Sequence, residues 1–328
     1  MQVDQSQQER RPGERDAATD GRRALEAHAP EAAHALDALE AAAWRAVDAD
    51  LLELAARVCA RQQGLDPLPR PPSLGESPWR ARPVEQWRSF GELGDDERAA
   101  LRFAEQFSLD VSSLGDDERS ALTRHLGDAT GGFVQATWVV DFLPRARFAL
   151  DALFGRSASR APGLAPVEPG AKADLWPAIE ALIRVVPRLR GLDAVTSELV
   201  RLRGARQHQC RICKSLRSRS ALVAGADEAA FDAVDRYATS DLPDACKAAL
   251  ALTDAMIWTP GHLDETLLGD LRRHFSPAQC VELVLDVTRN ATNKIPVSLG
   301  ADAANVEEGY EVYDVDEDGN LVYGLERP

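Results

Sequence analysis

The sequence predicts an all-α protein, and three observations support this prediction. Leu36, Leu39 and Ala43 recur at spacings of three and four residues, which places them on one face of a helix. Ser276 and Pro277 combine an N-cap serine with a proline at the first helical position, a common helix start. Before residue 306, no segment alternates between apolar and polar residues as a half-buried strand would.

Length, charge and cysteine content restrict the class of protein. A chain of 328 residues, 45% of them hydrophobic, is long enough for two domains with sizeable cores. The formal net charge of −15 opposes binding to nucleic acid or to an anionic membrane surface. The N-terminal segment is polar, unlike a signal peptide, and no apolar run approaches the roughly 20 residues of a membrane-spanning helix. Five cysteines do not suit a secreted disulfide framework, so we expect a cytoplasmic protein.

Two parts of the chain share a pattern of residues, which indicates an internal duplication. Residues of the first part recur in the same order, at nearly constant offset, in the second part. The matched sets are Glu53, Ala60, Arg61 and Gln62 with Glu198, Ala205, Arg206 and Gln207; Leu114, Leu122, Arg124 and His125 with Leu263, Leu271, Arg273 and His274; and Asp141 and Arg145 with Asn290 and Lys294. We expect the two copies to pack as a pseudo-symmetric pair, because neither can bury its apolar faces alone.

Breaks in the helical pattern give the predicted boundaries. These are a disordered tail over residues 1–30, a degenerate first repeat over 31–155, a linker over 156–172, a second repeat over 173–305 and a C-terminal tail over 306–328. Within the C-terminal tail, Asp318 and Gly319 predict the turn of a small hairpin. Asp314, Asp316 and Asp318 resemble the start of an EF-hand loop, but Leu325 stands where its glutamate is needed, so we expect no metal site.

The second repeat carries a Cys-x-x-Cys pair, Cys210 and Cys213. This spacing places both cysteines on one helical face and within reach of a disulfide. If Cys210 opens a helix, the helix dipole favours its thiolate. Redox chemistry, zinc binding and a purely structural pair are the open alternatives. Zinc would need two further ligands, and no second Cys-x-x-Cys or spaced histidine pair follows.

Glu198 lies upstream of the cysteine pair, within an apolar stripe that includes Val195 and Leu202. If the carboxylate is buried without a partner, its pKa rises toward the range of a general base. The alternative is that Glu198 leans to solvent or into a salt bridge. Both remain open at the level of the sequence.

The first repeat lacks these features and is predicted to be structural. Glu53 matches Glu198 but has Arg57 four residues later, the spacing of an ordinary helix ion pair. Leu65 stands where the second repeat has Cys210. We therefore expect chemistry only in the second repeat.

The succession of Glu198, Cys210 and Cys213 on consecutive helices, followed by Ala-rich helices, resembles the AhpD-like alkylhydroperoxidase/carboxymuconolactone decarboxylase superfamily. The likeness covers residues 173–305 well and residues 36–150 more faintly. It implies an all-helical homo-oligomer of AhpD-like repeats whose dithiol reduces hydroperoxides without a cofactor. By the same resemblance, Cys213 is the attacking thiol, Cys210 is the resolving thiol and Glu198 begins a proton relay.

Two positions depart from the peroxidase branch of that superfamily. Ile212 and Arg217 stand where this branch has histidines, and the decarboxylase branch lacks the paired cysteines. We expect Arg217, one helical turn beyond Cys213, to pair with a thiolate or with Glu198, while His208 offers a substitute base. Two hypotheses follow. One is a thiol-dependent oxidoreductase that uses a thiol electron donor against a hydroperoxide or another electrophile. The other is a non-redox protein that binds a different small molecule.

Overall fold

A computed structural model of the protein describes residues 20–156, residue 167 and residues 174–328. We call residues 20–156 the first half and residues 174–328 the second half. The described residues are mostly helical, which confirms the all-α prediction at the level of secondary structure. The helices of the first half are α1 Gly21–His28, α2 Pro30–Ala46, α3 Ala49–Gln63, α4 Asp95–Leu109, α5 Asp116–Leu126 and α6 Thr130–Phe154.

The second half adds shorter helices and a small sheet. Its helices are α7 Trp176–Val185, α8 Ala194–Gln207, α9 Arg211–Lys214, α10 Arg219–Val223, α11 Glu228–Ala233, α12 Asp244–Trp258, α13 Glu265–His274, α14 Pro277–Asn290 and α15 Lys294–Ser298. Its strands are β1 Leu216–Ser218, β2 Glu311–Val315 and β3 Leu321–Leu325. Short 3₁₀ turns connect several helices of both halves.

Local sequence explains where several helices begin and end. The predicted start of α14 is confirmed: Ser276 Oγ accepts from the N–H of Gln279, and the Gln279 side chain accepts from the N–H of Ser276. Asp48 accepts hydrogen bonds at the start of α3, which ends at Gly64 in the left-handed conformation. These caps satisfy backbone groups that a helix terminus leaves free.

Helix α6 lies at the centre of the molecule. It contacts α1 to α5 of the first half and α12 to α15 of the second half. Most of its side chains are buried, and Trp138 and Phe142 are completely so. Because α6 is buried on most of its sides, both halves pack their cores against it and form one continuous hydrophobic core in the described residues.

The three strands form one sheet in the order β1-β2-β3. β1 pairs with β2 in parallel, and β2 pairs with β3 as an antiparallel hairpin. The turn is stabilised by Asp316, whose carboxylate accepts the N–H groups of Asp318 and Asn320. Gly319 adopts a φ of +84° there, and a side chain at this position would collide with the carbonyl of Arg184. The hairpin thus lies against the end of α7.

Two expectations about irregular regions need correction. Strand β1 lies well before residue 306, so the prediction of no strand before the tail is wrong. Residues 21–28 of the predicted disordered tail form α1, which Asp20 caps and which buries Ala24 and Leu25. Residues 1–19 of that tail, and linker residues 157–166 and 168–172, lie outside the described residues. Among the helices of the described ranges, none is long and apolar enough to cross a membrane.

Candidate functional site

The cysteine pair lies where α8 passes into α9. The chain turns at Gln209, which adopts a positive φ of 55°, and Cys210 is the N-cap of α9. A disulfide joins Cys210 and Cys213, whose Cα atoms are 5.3 Å apart. Cys210 is completely buried, whereas Cys213 is only half-buried. Of the two sulfur atoms, that of Cys213 is therefore the one that a molecule from solvent can approach.

The free N–H groups at the start of α9 all have acceptors. The N–H of Arg211 donates to Asp302 Oδ2 at 2.8 Å, and the N–H of Ile212 donates to the Asp302 carbonyl at 2.9 Å. The N–H of Cys213 donates to Cys210 Sγ at 3.3 Å. This last hydrogen bond favours negative charge on the Cys210 sulfur when the disulfide is open.

Asp302 is a functional candidate that the sequence analysis missed. Its side chain is buried and also accepts two hydrogen bonds from the Arg211 guanidinium, at 2.7 and 3.1 Å. Burial opposes ionisation, but the hydrogen bonds from Arg211 outweigh it and lower the pKa of Asp302. Asp302 lies 91 residues after Arg211 in the chain, and no local pattern links the two.

Glu198 is buried, as its apolar stripe suggests, and forms a salt bridge. Arg201 donates to both carboxylate oxygens, each at 2.7 Å. The N–H of Ser218 donates to Glu198 at 3.1 Å and the Tyr313 hydroxyl at 3.0 Å. Four hydrogen bonds therefore occupy this carboxylate, and none of the donors is a cysteine.

Arg201 connects that salt bridge to the cysteine pair. It donates to the carbonyls of Cys213 at 2.8 Å and Leu216 at 2.9 Å. The Glu198 carboxylate outweighs the effect of burial and raises the pKa of Arg201. Burial and the same carboxylate raise the pKa of Tyr313, which keeps its hydroxyl protonated as a donor. Glu198 thus holds the backbone after Cys213 and fastens the C-terminal hairpin to α8.

Arg217 lies elsewhere than the sequence suggests. Helix α9 ends at Lys214 and Arg217 belongs to β1, so the expectation that it follows Cys213 by one helical turn is wrong. Its guanidinium forms an ion pair with Glu228 at 3.5 Å and lies over the rings of Phe231 and Tyr310. In residues 174–328, no hydrogen bond or ion pair joins it to a cysteine or to Glu198.

His208 is buried beneath the turn that precedes Cys210. Its Nδ1 is 2.7 Å from Asn293 Oδ1, and its Nε2 is buried without a hydrogen-bond partner among the described residues. Burial, reinforced by the charge of nearby Lys294, lowers the pKa of His208 to about 3. The imidazole is therefore neutral at physiological pH.

A buried polar cluster underlies this turn, and we define it as Gln63, Asp141, Arg145, His208 and Lys294. Lys294 and Gln63 both donate to the Asp141 carboxylate, and Arg145 donates to it at 2.7 Å. Burial lowers the pKa of Lys294 to about 8, against the opposing effect of Asp141. The cluster joins side chains of both halves in the core.

A cavity of about 530 Å³ opens beside α9, between the two halves. Lys214 and Gln209 line it next to the cysteine pair, and Trp258 forms part of its wall. Asp110 and Ser112 line it from the first half. Most of these side chains are polar, so the cavity suits a polar ligand better than a long hydrocarbon chain.

The corresponding region of the first half has different contacts. Glu53 is bound by Arg70 at 3.3 Å, whereas Arg57 donates to the carbonyls of Trp79 and Arg82. The expected ion pair between Glu53 and Arg57 is therefore wrong. Arg57 thus binds the proline-rich connection between Pro67 and Pro83, which the sequence predicts to be a loop.

Comparison with known proteins identifies two similar mycobacterial chains. The sequence is 42% identical over 279 residues to Uncharacterized protein Rv2313c of Mycobacterium tuberculosis (strain ATCC 25618 / H37Rv), and the match covers 84% of this chain and 93% of that protein. Uncharacterized protein MT2376 of Mycobacterium tuberculosis (strain CDC 1551 / Oshkosh) is similar to the same extent. No family model matches the chain. No solved structure matches it significantly.

Proposed function

The chain belongs to the same family as these two mycobacterial proteins, and we propose that it is a thiol-dependent oxidoreductase. In this proposal Cys210 and Cys213 alternate between a dithiol and a disulfide. The observation that carries it is the asymmetric burial of the disulfide: Cys213 is half-buried and open to an incoming molecule, whereas Cys210 is completely buried and its sulfur accepts the N–H of Cys213. Such a pair provides an accessible attacking group and a stabilised leaving group.

In the reductive half of the cycle, the thiolate of a donor dithiol attacks the Cys213 sulfur. The bond between the two protein sulfurs breaks, and its electron pair remains on Cys210, where the N–H of Cys213 stabilises the charge. The second donor thiolate then attacks the donor sulfur of the mixed disulfide and releases Cys213 as a thiolate. The donor is oxidised to a disulfide, and the protein is reduced by two electrons.

In the oxidative half, the Cys213 thiolate attacks the terminal oxygen of a hydroperoxide. The O–O bond breaks, an alcohol leaves after taking a proton, and Cys213 becomes a sulfenic acid. The Cys210 thiolate attacks that sulfur, and hydroxide leaves with a proton as water. The disulfide is restored, and one hydroperoxide has been reduced to an alcohol and water. Since Cys210 is buried, only Cys213 suits the first attack.

We further propose that the chain is built from two AhpD-like repeats packed as a pseudo-symmetric pair. The matched helical residues lie on α3, α4, α5 and α6 in the first copy, and on α8, α12, α13 and then α14 and α15 in the second. Arg145 and Lys294, at matched positions of the two copies, both bind Asp141. Arg145 also binds the carbonyls of Ser108 and Ile257, which lie at the ends of the corresponding helices α4 and α12. Residues at matched positions of the two copies therefore meet around Asp141 and Arg145, which supports a pseudo-twofold axis near these two side chains.

A second candidate function is non-redox binding of a small polar molecule in the cavity beside α9. Two observations favour it. Arg217 forms an ion pair with Glu228, and the Glu198 carboxylate is fully occupied by other donors. Neither Arg217 nor Glu198 is therefore available to stabilise a thiolate or to exchange a proton with a cysteine. Under this alternative the disulfide has only a structural role. The two functions differ in whether opening the disulfide is reversible and coupled to turnover.

The test combines thiol titration with a peroxidase assay on the full chain. Dithiothreitol should open the disulfide, and hydrogen peroxide should close it while being consumed. Cys213→Ser should abolish consumption, and Cys210→Ser should leave a sulfenic acid that a dimedone probe labels. Cys246→Ser, at a buried free cysteine, is the matched control and should keep the parent rate. Equal peroxide consumption by Cys213→Ser and the parent would refute the redox proposal.

A further inference from the structure

We propose that the ion pair between Asp302 and Arg211 sets the reduction potential of the Cys210–Cys213 disulfide. In this role Asp302 is a positioning residue that also adds charge, and it touches neither sulfur. The inference rests on the proposed function, because the potential matters to the protein only if the pair is reduced and reoxidised during its reaction.

Asp302 holds the backbone that follows Cys210. Asp302 accepts the N–H of Arg211 with its side chain and the N–H of Ile212 with its carbonyl. These are the first two free N–H groups of α9, so they are no longer available to a thiolate. The N–H of Cys213 remains, and it donates to Cys210 Sγ. Asp302 therefore limits the backbone stabilisation of the Cys210 thiolate to a single hydrogen bond.

Two opposite charges, those of Asp302 and Arg211, lie beside Cys210, the N-cap of α9. The Asp302 carboxylate binds the N–H of the residue that follows Cys210, and it is buried. A negative charge there disfavours the thiolate and lowers the reduction potential. The Arg211 guanidinium, 2.7 Å from Asp302, favours the thiolate, but 56% of its side chain is exposed. Since water screens an exposed charge more than a buried one, the effect of Asp302 should be the larger of the two.

Two variants, each of which removes one of these charges, should therefore shift the reduction potential in opposite directions. Asp302→Asn keeps an oxygen that can accept the N–H of Arg211 but removes the negative charge. Arg211→Gln keeps the backbone N–H bond to Asp302 but removes the positive charge. Reduction should become easier in Asp302→Asn and harder in Arg211→Gln. A loss of packing alone would not move the two variants in opposite directions.

The experiment equilibrates the full chain with mixtures of reduced and oxidised dithiothreitol near pH 8.5, where an ordinary cysteine thiol is about half ionised. The reduced fraction is read by mass spectrometry on the alkylated peptide that carries Cys210 and Cys213. Relative to the parent, the equilibrium constant for reduction should rise about tenfold in Asp302→Asn, which is about 30 mV. It should fall about threefold in Arg211→Gln. Asp270→Asn, which removes an exposed partner of Arg273 on α13, should leave it unchanged.

Circular dichroism of each variant checks that the helices are retained. Unchanged constants in both variants, or shifts in the same direction, would overturn the inference while leaving the redox proposal intact. If no ratio of reduced to oxidised dithiothreitol opens the disulfide of the parent, both the inference and the redox proposal are overturned. Opposite shifts without any peroxide turnover in the parent would support the electrostatic role and count against the peroxidase reaction alone.

Discussion

His208→Gln tests how the buried polar cluster responds to pH. The imidazole is buried, shares a hydrogen bond with Asn293 and lies near the positive charge of Lys294. Burial and this charge lower the pKa of His208 to about 3, from 6.5 in the unfolded chain. Glutamine can retain a hydrogen bond to Asn293 but cannot titrate. Comparing the parent with this variant therefore isolates the proton that His208 takes up on unfolding.

The sign and size of the effect follow from these two values. Between pH 6.5 and about 3, the unfolded chain binds a proton at His208 and the folded protein does not. The stability linked to His208 is therefore fully present above pH 6.5 and is lost as the pH falls toward 3. The slope is about 1.4 kcal/mol per pH unit, which amounts to about 2 kcal/mol between pH 7 and pH 5.

The measurement is urea unfolding of both proteins at pH 7 and at pH 5. The free energy of unfolding of the parent, minus that of His208→Gln, should be about 2 kcal/mol smaller at pH 5 than at pH 7. His125→Gln, an exposed histidine on α5, is the matched control and should show no such change. A difference between parent and variant that is the same at both pH values would refute the assignment of His208 as a buried neutral imidazole.

Three further predictions use the same unfolding assay. Asp286→Asn should show the opposite pH dependence, because burial raises the pKa of Asp286 to about 7. The free energy of unfolding of the parent, minus that of the variant, should decrease by about 2 kcal/mol from pH 5 to pH 7, and an increase would contradict this. Tyr313→Phe should cost about 2 kcal/mol, the value of a buried hydrogen bond to a carboxylate, here that of Glu198; a neutral effect would show that the hairpin does not depend on this contact. Lys294→Met should cost about 3 kcal/mol, because it leaves part of the buried charge of Asp141 uncompensated; a gain in stability would show that Arg145 suffices.

Helical periodicity allowed much of the fold to be predicted, because it depends on residues close in sequence. The N-cap of α14 and the turn at Asp318 and Gly319 are local signals of the same kind, and a helix start and a hairpin lie at these positions. Strand β1 was missed because it has only three residues. A strand of that length has no periodicity of its own and forms only where β2, nearly a hundred residues later, pairs with it.

The site shows the same division between local and distant information. The sequence placed Cys210, Cys213 and Glu198 near one another because all three lie within one short segment. Arg201, three residues after Glu198, could have been found from helical spacing as the partner of that carboxylate. Asp302 and Tyr313 could not, since they reach the site from the C-terminal segment through contacts that only the tertiary structure specifies.

The resemblance to peroxidases and the observed contacts assign different tasks to the same carboxylate. A relay needs a carboxylate that can exchange a proton with a base near the sulfur, whereas Glu198 is bound by Arg201, Ser218 and Tyr313. By that resemblance, Ile212 and Arg217 stand at positions where the peroxidases have histidines, and a carboxylate fixed in a salt bridge does not need a neighbouring proton carrier. The Cys213 sulfur is half-buried and so can exchange protons with water. We therefore infer that Glu198 has a structural role, and that solvent would supply the protons for the proposed thiol chemistry.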